Sequence, residues 1–227
     1  MHDVIVSNIN IILWVVSVAE LGLVYVFANE LKQKRNLMVV CMLAVAVGLT
    51  FDAFVVALGG IIDEFPIIFS RLRYIMHGTM VPLVLPICGY SLKLKKKGMC
   101  LVWIITVILM ILGLVQSLNV ELVETVVGEN VRMATGPGTP VWARVISRIL
   151  SFGTIIPLII SGAIVWKKFK ISYMFTGGIL MFVFAALGPA TGNMDLLFLI
   201  SMFGEVCMLA CYYFYLKSLY GELYSES

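Results

Sequence analysis

Ionisable side chains interrupt runs that are otherwise hydrocarbon. Glu20 lies in SVAELGLVY, Asp52 in TFDAFVVALGG and Glu205 in SMFGEVCML. Arg71, Arg73 and His77 share SRLRYIMHGTMVPLVLP, and Arg144 and Arg148 lie near the start of a further apolar run. Inside a bilayer such groups cost roughly 2.5–3.5 kcal/mol each on insertion scales. They are tolerated where they face a protein interior, pair with one another or line a wet cavity. Arg73 and His77 are four residues apart, as are Arg144 and Arg148, so each pair shares one helical face. Two groupings follow. Arg71, Arg73, Arg144 and Arg148 form an outer basic vestibule for an anionic ligand or lipid headgroup, with Asp52 as partner to one of them. Deeper, His77, Glu205 and Glu20 form a titratable chain, with Asp52 as the second candidate partner of His77. Histidine changes charge near neutral pH, and Asp/Glu/His chains are the material of intramembrane proton relays.

Other chemistries find less support. One histidine within the spans excludes a multi-histidine metal site. No Gly-x-Ser-x-Gly, His-Glu-x-x-His or Walker-type glycine loop occurs. His77 with Asp52 or Glu205 could still activate water or a serine. Ser70, Ser151 and Ser201 are available, and nothing singles one out. The rival to a binding protein is therefore an intramembrane hydrolase or transferase acting on a lipid headgroup.

The elements that position these groups are membrane helices. Hydrophobic residues make up 61% of 227, charged residues 13%, and mean hydropathy is +1.04. A soluble domain is nearer half apolar and a quarter charged, and a span takes about 20 apolar residues. Seven spans are expected, at 4–28, 36–62, 67–92, 99–118, 141–165, 171–192 and 194–216. A short turn near Gly192, Asn193 and Asp195 separates the last two. MHDVIVSN lacks the charged n-region and cleavage site of a secretory signal, so the first span is expected to be retained, in one domain over 1–227.

Basic residues set the expected orientation. Lys32, Lys34, Arg35, Lys93, Lys95, Lys96, Lys97, Lys167, Lys168, Lys170 and Lys217 are 11 of the 16 Lys and Arg, all on one side. The opposite loops hold Arg132 alone. Positive loops stay cytoplasmic, so the N-terminus is expected outside and the C-terminus inside, in the cell membrane. The net charge of +3 is this topology pattern and calls for no nucleic acid, though it gives some affinity for anionic inner-leaflet lipid.

The loop 119–140 is the one sizeable segment outside the spans. LVETVV and VRMAT flank Gly128-Glu129-Asn130, a pattern for a β-hairpin over the outer mouth; an ordinary flexible loop is the alternative. Pro82 and Pro86, Pro157 and Pro189 fall inside spans, where each removes a helical hydrogen bond. Trp142 and Trp166 lie at the ends of span five as interfacial anchors; Trp14, near mid-span, fits that role less well. The five cysteines lie in spans or near the inner face, with no spacing for a metal site and no disulfide expected.

Arg73-Tyr74 followed by Pro82-Leu83, the stretch GNMDLLFLI before span seven, and seven spans with the N-terminus out together resemble the microbial rhodopsin family. The match covers about two of the seven spans. The resemblance implies a seven-helix bundle. That family holds retinal as a Schiff base on a lysine in the middle of span seven. Here span seven has no lysine before Lys217, and Glu205 sits close to where that lysine would be. The counter-ion position would fall near Met76 or His77 instead of on an aspartate. No covalent retinal, or other cofactor, is therefore expected. The expectation is an all-α bundle of seven transmembrane helices. Its polar centre would serve a small transporter, a proton-coupled carrier or a membrane sensor.

Overall fold

The computed structural model describes residues 2–62, 66–192 and 196–225. A short helix α1 (His2–Ser7) leads into α2 (Ile9–Gln33), and α3 (Leu37–Leu58) follows. The Asn36 side chain accepts from Met38 N at 2.9 Å and so caps the start of α3. Next come α4 (Ile67–Met80), a 3-10 turn over Val81–Leu83, and α5 (Val84–Ser91). The remainder is α6 (Lys96–Asn119), β1 (Leu122–Val127), β2 (Asn130–Thr135), α7 (Val141–Phe169), α8 (Tyr173–Thr191) and α9 (Leu197–Ser225).

Six of these helices, α2, α3, α6, α7, α8 and α9, are long and apolar enough to cross a membrane. This is the make-up of an integral membrane protein. The third of the seven expected spans is not among them. Residues 67–91 instead fold as two helices joined by the 3-10 turn. Pro82 cannot donate to the carbonyl four residues back, and the α-helical ladder gives way to the 3-10 turn where it stands; Pro86 falls in the first turn of α5, where its missing N–H is tolerated. The first span starts at Ile9 and the second ends at Leu58, while α7 and α9 run further than expected. Of the turn before α9, Gly192 closes α8 with φ 73°. Asn193 and Asp195 lie outside the described residues.

The helices close a ring in chain order: α2 packs on α3, α3 on α4, α4 on α6, α6 on α7, α7 on α8, α8 on α9, and α9 back on α2. Lipid tails are as apolar as leucine, so close packing and polar contacts, more than water exclusion, must hold such a ring together. Two apolar clusters fill it. One gathers Ile9, Leu13, Val16, Ala53, Val56, Leu199 and Met202 toward the hairpin end. The other gathers Phe27, Met42, Leu49, Ile87, Leu158, Met208, Leu209 and Tyr212 toward the opposite end. The ionisable residues fall at the seam. On α2 Glu20 lies between Val16 and Phe27, on α3 Asp52 lies between Leu49 and Ala53, and on α9 Glu205 lies between Met202 and Met208. Trp14 is a packing residue here, edge-on to Phe54 of α3 at 5.4 Å.

The loop between α6 and α7 is a hairpin. Its register runs from Leu122↔Thr135 to Val127↔Asn130. Asn130 begins β2 instead of sitting in the turn, and it is fully buried. Its amide donates to Val56 O at 2.9 Å and to Asn10 Oδ1 at 3.2 Å. Val131 N donates to Gly59 O at 3.0 Å. The hairpin thus lies across the ends of α2 and α3. Gly59 permits this, because a Cβ there would stand 1.9 Å from Val131 O.

Candidate functional site

Asp52 is the hub. Its Oδ1 lies 2.9 Å from Arg73 Nε and its Oδ2 lies 3.4 Å from His77 Nδ1. The facing geometry on α4 comes from the four-residue spacing of Arg73 and His77, which presents both to α3. Neither Asp52 Oδ1 nor His77 Nδ1 has an aligned hydrogen bond; the Asp52–Arg73 contact joins two charges, and the Asp52–His77 contact does so when the imidazole is protonated. Arg73 also reaches Met133 O of the hairpin at 3.5 Å. Asp52 therefore serves both roles read from the sequence, partner to an arginine and partner to His77.

Beside this cluster lies a cavity of about 250 Å³. Asp52, Arg73, Tyr74, His77, Gln116, Ser147, Ser151, Thr154 and Glu205 form its polar wall, and Leu49, Val81, Val84, Ile155, Leu158, Met181 and Met208 its apolar wall. The exposed part of the His77 side chain, 43%, faces this space. Glu205 is 4% exposed, and its Oε2 has no hydrogen-bond partner. Glu20 is fully buried with neither oxygen partnered. It is not part of the cavity wall, but Glu205 and Asp52 lie within coulombic reach of it. His77 and Arg73 act on Glu205 in the same way. The four titratable residues expected to form the centre are thus one electrostatic group, three of them on one cavity.

The arginines separate. Arg71 donates to Ser117 O and Val120 O, both at 2.7 Å, and so satisfies carbonyls at the end of α6. Arg144 donates to Thr139 O at 3.1 Å and to Pro137 O, fixing the loop that leads into α7. Arg148 is exposed on α7. Only Arg73 lines the cavity. Of the candidate serines, Ser151 lines the cavity; Ser70 is buried, and Ser201 donates to Phe198 O at 2.9 Å.

Sequence reasoning gave Arg132 no role beyond its place in an outer loop. It stacks on the Phe198 ring of α9 at 3.8 Å, above the Arg73 and Asp52 charges. Burial, and then the positive charge of Arg73, push its guanidinium down to about 10, so it stays charged at neutral pH. Its position follows only from the docking of the hairpin. At the far end Lys217 of α9 pairs with the buried Glu30 of α2 at 2.5 Å.

Among the described residues no three His, Cys, Asp or Glu side chains converge as a metal-ligand set. Models of known protein families give no match to this chain. Comparison with characterised proteins gives none either.

Proposed function

We propose that this chain crosses the cell membrane seven times, N-terminus outside, and is a proton-linked carrier for a small ligand held in the central cavity. The carrying observation is Glu205. It is a buried carboxylate with an unpartnered oxygen, in the wall of a cavity that also holds the Asp52–His77–Arg73 cluster. An acid, an imidazole and a lumen in one place let ligand binding and proton binding compete.

The seven crossings rest on direction. The end of α3 and the end of α6 both meet the hairpin segment, through Gly59 and through Val120. The two helices thus run the same way, and α4 with α5 must return between them. The lysine-rich loops then lie opposite the hairpin, which the positive-inside rule puts in the cytoplasm. Arg148 is long enough to carry its charge up to the outer headgroups. No lysine precedes Lys217 in α9, so a retinal Schiff base has no attachment point there.

Orientation is tested with single cysteines in a background free of native ones. Glu129→Cys, at the exposed hairpin turn, is expected to react with an impermeant maleimide in intact cells. Lys96→Cys is expected to react only after lysis. The reverse pattern would overturn the orientation.

Transport is tested in proteoliposomes with a trapped pH dye. They are challenged in turn with small amines, carboxylates and neutral amino acids. At least one class is expected to change internal pH faster than in empty liposomes, and Glu205→Gln is expected to abolish the difference. A response equal to empty liposomes for every class would sink the carrier reading. A second reading rests on His77, 3.4 Å from Asp52 and in one cavity with Ser147 and Ser151: hydrolysis of a lipid headgroup ester. Release of headgroup from reconstituted lipid, lost in His77→Gln, would favour it.

A further inference from the structure

At the end of the bundle opposite the hairpin, two helices are closed by lysine where glycine is the usual residue. Lys93 follows α5 with φ 52°, and Lys170 follows α7 with φ 61°. Among the described residues, no others except glycines have a positive φ. After α5, Lys93 N donates to Tyr90 O at 3.0 Å and Leu94 N donates to Gly89 O at 3.1 Å. That is a Schellman pattern with Lys93 at its left-handed position. After α7, Lys170 N donates to Trp166 O at 2.9 Å. A side chain at such a position crowds its own backbone, a cost that glycine escapes.

The two strained lysines belong to one surface. Lys93 Nζ stands 4.7 Å from the centre of the Phe169 ring, and Phe169 lies between Lys168 and Lys170 in the chain. Lys95, Lys96 and Lys97 follow Lys93 at the start of α6, and Lys167 lies in the last turn of α7. All seven lysines are exposed. No Asp or Glu occurs between Glu64 and Glu121, or between Glu129 and Asp195, so α5 to α8 bring no acid to this surface. The third basic loop differs. There Lys34 lies over the Tyr220 ring at 3.2 Å, and Lys217 pairs with Glu30. Exposed Trp166 and Tyr173 flank Lys170, as rings do at the edge of a bilayer.

We infer that this surface binds the phosphate headgroup of an anionic phospholipid, with Lys93 and Lys170 as its principal contacts and Trp166 and Tyr173 against the start of the acyl chains. Membrane orientation accounts for lysines on this side. It does not account for lysine at two left-handed positions, or for two basic loops that meet without an acid. Lysine also suits the negative end of a helix dipole, but Lys167 and Lys168 already supply that charge to α7 from unstrained helical positions.

Nothing in this site depends on transport through the central cavity. The probes are dioleoyl phosphatidylglycerol, dioleoyl phosphatidylcholine and glycerol 3-phosphate, each titrated into the purified protein in neutral detergent and read by native mass spectrometry. Phosphatidylglycerol is expected to bind about tenfold or more tighter than either of the others. Lys93→Gly with Lys170→Gly suits the left-handed backbone and removes two charges. It is expected to weaken phosphatidylglycerol binding about 25-fold, the factor for two basic residues at an anionic lipid surface. Its thermal stability in neutral detergent is expected to equal or exceed that of the parent. Lys32→Gln with Arg35→Gln, the same change of charge in the third loop, is expected to leave binding within about threefold. Equal losses in the two double variants would reduce the surface to general attraction and overturn the site, as would unchanged binding in the glycine variant. Phosphatidylcholine bound as tightly as phosphatidylglycerol would show that the headgroup charge is not recognised. Glycerol 3-phosphate bound as tightly would make a free phosphate the ligand instead of a lipid. A glycine variant less stable than its parent would assign the two lysines to the fold and not to a site.

Discussion

Replacing Asp52 by asparagine is expected to destabilise the folded chain by about 3–5 kcal/mol, the cost of leaving a buried charge without its partner. Asp52 is the anion for both Arg73 and His77, at 2.9 and 3.4 Å. The Asp52 and Arg73 side chains are 15% and 10% exposed, so water in the cavity replaces only a small part of what the lost partner supplied. Without the carboxylate, Arg73 keeps the distant Met133 carbonyl of the hairpin and the face of the Tyr74 ring at 4.9 Å, neither of them an anion. Removing both charges in Asp52→Asn with Arg73→Gln is expected to cost clearly less than the two single changes added together. Denaturation of all four proteins in one detergent gives the coupling. Additivity within about 0.5 kcal/mol would mean that the two groups do not interact, and the polar centre would lose its hub.

A single methyl group at the crossing of α4 and α6 is expected to be comparably damaging. A Cβ on Gly113 would stand 2.0 Å from Gly78 O, and one on Gly78 would stand 2.8 Å from Gly113 O. The atoms in the way are backbone, so no rotamer change relieves the clash and the helices must part. Gly113→Ala is expected to cost about 3 kcal/mol, the upper part of the range for overpacking. The separation would also pull on Ser117 Oγ, which donates to Tyr74 O at 2.7 Å, and on Arg71, which holds the end of α6. Both tie the cavity wall on α4 to its neighbour. Gly153→Ala on α7 is the control, since nothing lies within 4 Å of its Cβ. There the change is expected to stabilise by up to about 1 kcal/mol through helix propensity alone. Gly113→Ala as stable as the parent protein in thermal denaturation would show that the crossing is looser than described.

Much of the site was legible because membranes punish charge. Glu20, Asp52, His77 and Glu205 stood out only by being ionisable within apolar runs, and they do gather at one level of the bundle. The prolines of the third span announced a break but not its form. A missing N–H is readable from the residue type, while the choice between a kink and a 3-10 turn depends on what packs around it. The four arginines looked equivalent in sequence. One faces Asp52, two hold backbone carbonyls, and one is exposed on α7, because a guanidinium takes whichever acceptor the neighbouring segment brings near. Arg132 carried no pattern at all. It lies over the Asp52 and Arg73 charges only because the hairpin that bears it docks on Val56 and Gly59.

The sequence by itself determined that this is a membrane-type helical chain with its ionisable groups at mid-span. Hydrocarbon length and the cost of buried charge are local properties of a run of residues. The tertiary structure alone decided which charges meet, which helix pair closes on glycine, and which polar groups share the lumen with Glu205. Those outcomes depend on the rotation of each helix about its axis. Contacts with other helices set that rotation, and it is not encoded in the spacing of a single segment.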